Sequence, residues 1–68
     1  MKHKDIYING TKVRYFHYNE DKEKLEAYDQ FERIIAEFDM SQEQWSKFDD
    51  MSYAACWEEL GNLFGDAE

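Results

Sequence analysis

Hydrophobic positions change period once along the chain. Between residues 6 and 16 they alternate around Asn9-Gly10, with Ile6-Tyr7-Ile8 before it and Lys12-Val13-Arg14-Tyr15-Phe16 after it. Asn-Gly between β-rich runs predicts a hairpin with a type I′ turn, because both residues tolerate positive φ. A two-residue loop pairs Ile8 with Thr11, Tyr7 with Lys12 and Ile6 with Val13. Ile6, Ile8, Val13 and Tyr15 then share a face that suits a core, and Asp5, Tyr7, Lys12, Arg14 and Phe16 share the other.

From Leu25 the period lengthens. Leu25, Tyr28, Phe31, Ile34, Ile35 and Phe38 recur at spacings of three and four, which predicts a first helix over 20–39, capped by Asn19 or Asp21. Asp29–Arg33 and Arg33–Glu37 are i,i+4 pairs on its outer side. Ser41-x-x-Gln44 fits a capping box, and Met40 before it suits a hydrophobic staple on Trp45. The span 42–64 therefore reads as helix again. It is either one kinked rod or two helices, the second capped by Asp50 or Ser52 and running through Trp57, Leu60 and Phe64. Gly65 suits a C-cap, and 65–68 reads as a frayed tail. The expected fold is α+β: an N-terminal β-hairpin packed on two or three α-helices, in one small domain over 1–68 with a basic hairpin at 1–18.

Composition supports folding. The chain has 68 residues, 35% of them charged, yet 18% are Phe, Tyr or Trp, which separates it from charged disordered chains. A domain this small buries only about 60% of its accessible surface, so some aromatics stay exposed. One Cys excludes an internal disulfide and fits a reducing compartment. No apolar run reaches a membrane span, and Met1-Lys2-His3-Lys4-Asp5 lacks a signal-peptide core, so the reading is cytoplasmic, in the host cytoplasm if the chain is phage-encoded.

Charge is segregated. Residues 1–18 sum to +3 and residues 25–68 to −10, within a net charge of −8. No catalytic constellation accompanies it. Cys56 sits between Ala55 and Trp57 without neighbouring cations, and both histidines, His3 and His17, lie in the basic head. Asp49-Asp50 and Glu58-Glu59 are adjacent pairs, and helix neighbours point some 100° apart, so neither forms a dyad. Zinc spacing, EF-hand loops and phosphate-binding glycines are missing from the sequence, so it calls for no cofactor or metal and points away from an enzyme.

The acids carry the functional expectation. Glu20, Glu23, Glu26, Asp29 and Glu32 fall every third residue, and on a helix their carboxylates would lie roughly 6–9 Å apart, near phosphate spacing on a DNA strand. With Asp49, Asp50, Glu58 and Glu59 they suggest an acidic inhibitor or decoy that binds a basic, nucleic-acid-handling protein such as a nuclease. A merely solvated face explains the charges as well. Tyr7, Phe16, Tyr18 and Tyr53 are the expected aromatic anchors. In size and acidity the chain is similar to phage-encoded inhibitors of host nucleases and defence complexes; that likeness covers composition alone and carries no residue over. The alternative is an assembly module that pairs a hairpin edge or homodimerises. Direct nucleic-acid binding through Lys12, Arg14, Tyr7 and Phe16 is disfavoured, because the acidic body repels a polyanion.

Overall fold

A computed structural model describes residues 4–66 and shows an α+β fold. Five short antiparallel strands in two sheets precede two helices: β1 (Tyr7–Ile8), β2 (Thr11–Lys12), β3 (Tyr15–Asn19), β4 (Lys24–Tyr28), β5 (Ile34–Asp39), α1 (Gln42–Asp49) and α2 (Tyr53–Phe64).

The hairpin has the expected register. Tyr7 pairs with Lys12 and Ile8 with Thr11, and Val13 N–H donates to the Ile6 carbonyl at 2.8 Å. Asn9 at φ 53° and Gly10 at φ 78° both occupy the left-handed region that a type I′ turn needs. Ile6, Ile8 and Val13 are buried, as their shared face predicts. Tyr15 departs from that face: it belongs to β3 and stacks on Tyr28 with ring centroids 4.8 Å apart.

The helix expected over 20–39 does not form. That segment completes a three-stranded meander in the order β3-β4-β5. The periodicity that suggested a helix also reads with period two in separate pieces: Leu25 and Ala27 lie opposite Tyr18 and Phe16 on one side and Phe38 and Ala36 on the other. These six form the face turned to the core. Phe31, at 66% exposure, lies in the turn between β4 and β5 rather than on a buried stripe. Both turns are built locally. Glu23 has φ 50° and Glu32 φ 61°, conformations that interrupt a right-handed helix. Asn19 Oδ1 accepts from Lys22 N–H at 3.2 Å in the first turn. In the second, Asp29 Oδ1 accepts from Phe31 N–H at 2.8 Å and Arg33 N–H at 2.9 Å. The Asp29–Arg33 pair read as a helical bridge therefore exists, with Nε 3.0 Å from Oδ2, but it closes a turn. A bulge sets Ile34 against Tyr28 and turns Ile35 to the core.

The helices obey their caps. Ser41 and Gln44 form the full capping box, and buried Met40 shares a core cluster with Trp45. Ser52 caps α2 by accepting from Ala55 N–H at 3.2 Å, so 42–64 is two helices. Replacing Ser41 with Ala should cost about 0.5–2 kcal/mol, read as a lowered denaturation midpoint with an unchanged slope.

Asp66, expected in the frayed tail, is tied down. Its N–H donates to the Tyr7 carbonyl at 2.6 Å, and its carboxylate accepts from Asn9 N–H and Gly10 N–H, each at 2.8 Å. Gly65 makes this approach possible, since a Cβ there would lie 2.5 Å from the Gly61 carbonyl oxygen. The core lies between the sheet face and the helices: Phe38 stacks on Phe64 at 4.2 Å, Phe16 meets Trp57 edge-on at 5.7 Å, and Tyr18 stacks on Trp45 at 5.1 Å.

Candidate functional site

With β4 a strand, the regular row of carboxylates dissolves. Glu26 sits on the central strand between His17 and Glu37 at 4% exposure and accepts from the Tyr28 hydroxyl at 3.0 Å. Asp29, also at 4%, spends its oxygens on the β4–β5 turn. The Arg33 backbone N–H, helped by the Phe31 N–H and the Arg33 guanidinium, holds its pKa below the ordinary carboxylate value against the opposing effect of burial. Both carboxyls are structural. Glu32 is exposed in the same turn, and Glu23 accepts from Gln42 N–H at 3.3 Å, at the first turn of α1. Asp49 ends α1 and Asp50 caps it, whereas Glu58 is exposed and Glu59 half-buried on α2.

The expected anchors separate in the same way. Tyr18 is buried, its hydroxyl donating to the Met40 carbonyl at 2.8 Å. Burial raises its pKa, with the Glu23 and Glu20 carboxylates adding to the effect. Phe16 is half-buried against Trp57. Tyr7 and Tyr53 are exposed.

Two cavities organise the remaining chemistry. One, of about 400 Å³, is lined by Tyr18, Glu20, Gln42, Trp45 and Asp49. Gln42, Trp45 and Asp49 reach it because their spacing places them on one side of α1. Residues 20–23 and 42–50 around it hold six carboxylates against Lys22 and Lys47. This acidic end brings Glu23, Asp49 and Asp50 of the expected set together with Glu20, Asp21 and Glu43.

The larger cavity, of about 470 Å³, is a cleft that the linear pattern did not reveal. Lys4, Lys12, Arg14 and Arg33 line it, with the aromatic rings of Phe31, Tyr53 and Trp57. The hairpin brings Lys12 and Arg14, the β4–β5 turn brings Phe31 and Arg33, and α2 brings Tyr53 and Trp57. Trp57 Nε1 donates to the Lys4 carbonyl at 2.6 Å, tying the chain before β1 to the helix. The Arg33 guanidinium lies over the Phe31 ring at 5.1 Å. The basic head and the expected anchor Tyr53 were the sequence signals toward this cleft; Phe31 and Trp57 read as core residues on helical stripes.

Cys56 is half-buried, and burial, with the Asp49 carboxylate, pushes its thiol above the ordinary value and keeps it protonated near neutral pH. Among the described residues no group of three or more His, Cys, Asp or Glu side chains is placed to hold a metal ion, and no helix is long and apolar enough to cross a membrane. Comparisons with protein-family models, curated proteins and solved structures return no match.

Proposed function

We propose that the protein is a non-enzymatic acidic inhibitor or decoy that binds the basic surface of a nucleic-acid-handling protein. The observation that carries this reading is the acidic end, where Glu20 and Asp49 line one cavity with the Tyr18 and Trp45 rings, and Glu23 reaches the start of α1. Carboxylates around an aromatic floor supply both long-range steering and a contact surface. A regular phosphate-like row no longer supports the reading, because Glu26 and Asp29 are buried. Proteins that handle nucleic acid carry the concentrated positive surface that such an end complements.

The test uses exposed acids of this end and leaves the buried Glu26 and Asp29 in place. Reversing Glu20, Asp21 and Asp49 to Lys should weaken capture of the partner from a cell lysate at least about tenfold and leave the thermal midpoint within a few degrees of wild type. Capture by the wild type should fall with added salt, and duplex DNA should compete for the captured protein. Equal capture by the reversed variant, or capture indifferent to salt and DNA, sinks the reading.

Self-assembly through a strand edge is a second reading. β5 is an edge strand with Ile34 exposed, whereas Asp66 already bonds to β1 at Tyr7. Sedimentation that stays monomeric as concentration rises would remove it.

A further inference from the structure

We propose that the cleft between the hairpin, the β4–β5 turn and the start of α2 binds a short acidic segment of a partner protein, at a surface separate from the acidic end. Four of the chain's eight Lys and Arg residues line it, although the molecule carries a net charge of −8. That concentration asks for an anionic occupant. Arg14 and Lys12 are exposed and only loosely engaged: Arg14 Nη1 lies 3.5 Å from the Gln30 carbonyl, and Lys12 Nζ lies 3.6 Å from Asp5. An exposed pair of this kind costs little to exchange for another carboxylate. Asp29, the other acid lining the cleft, has its oxygens occupied by Phe31 and Arg33.

Phe31 and Tyr53 are 66% and 69% exposed, and Tyr53 is stacked on Trp57 with centroids 6.4 Å apart. Exposed rings beside guanidinium groups make the kind of anchor that dominates interface energetics. The volume, about 470 Å³, suits a few side chains. A nucleic-acid strand fits less well. It carries charge at every nucleotide and must continue past the cleft over an acidic body, whereas a peptide can confine its carboxylates to the cleft and be neutral on either side. The carboxylates would meet Lys12 and Arg14, and an apolar side chain would lie on Phe31 and Tyr53.

The probe is a labelled hexapeptide of alternating glutamate and phenylalanine, titrated against the full chain by fluorescence anisotropy. It should bind and shift the Trp57 indole N–H resonance. The same peptide with glutamine for glutamate should bind at least about tenfold more weakly, as should the original peptide to the Lys12→Ser, Arg14→Ser variant. Tyr53→Ala, a change on an exposed ring, should weaken it several-fold with an unaltered thermal midpoint. Absence of binding, equal binding of the glutamine peptide, or indifference to all these substitutions overturns the proposal. Tighter binding of a short oligothymidylate at the Trp57 resonance would also overturn it and assign the cleft to nucleic acid.

Discussion

Ala27→Glu should abolish folding, leaving no cooperative thermal transition and a far-ultraviolet spectrum without strand character, while Phe31→Ala should leave stability nearly unchanged. Ala27 is fully buried on β4, the central strand, between Phe16 and Ala36, in the cluster formed by Ile6, Ile8 and Val13. A carboxylate there has no partner and costs several kcal/mol, comparable with the whole stability of a domain this size. Phe31 is two-thirds exposed and contributes little apolar burial. A helix over 20–39 would instead bury Phe31 on its apolar stripe and would require a large loss from Phe31→Ala. A damaged Phe31→Ala would therefore return the segment to a helix.

The second large effect is expected at Asp29. Replacing it with Ala leaves the Phe31 and Arg33 N–H groups and the Arg33 guanidinium without their acceptor, and the β4–β5 turn loses its organising group. The thermal midpoint should fall by more than about 10 °C, and Asp29→Asn, which keeps one oxygen, should fall less. The pH dependence follows from the lowered pKa. A carboxyl that ionises more readily in the folded state stabilises fully above its unfolded value, near pH 4, and its contribution fades as pH drops through the folded value. The stability gap between wild type and Asp29→Asn should therefore narrow as pH falls below about 4. A gap that stays constant would show that the Asp29 charge contributes nothing.

Local signals were legible wherever backbone and side chain settle the matter within a few residues. Asn9-Gly10 has the positive φ angles that its composition favours, and Ser41 with Gln44 builds its cap from adjacent atoms. Ser52 likewise separates the two helices with a bond three residues long. The middle of the chain was ambiguous for a physical reason: Leu25, Ala27, Ala36 and Phe38 serve a strand face, and Leu25, Phe31, Ile35 and Phe38 serve a helical one equally well in sequence. Aromatic and branched residues favour strands only where there is a sheet to join, so the choice waited for β3 to provide pairing and α2 to provide cover.

The candidate sites show the same division. Segregated charge, a basic hairpin face holding Lys12 and Arg14, and more aromatics than a small core can bury are all legible from residue order and composition. The spacing of the acids carried no site, because the meander buried Glu26 and Asp29. Folding is what brings Arg33 and Phe31 to Lys12 and Arg14 across one cleft, and Glu20 to Asp49 across another cavity. Charges far apart in the chain become one field only when the backbone between them is folded. Here that backbone is a pair of turns whose geometry rests on two positive-φ residues, Glu23 and Glu32, and on the Asp29 carboxylate.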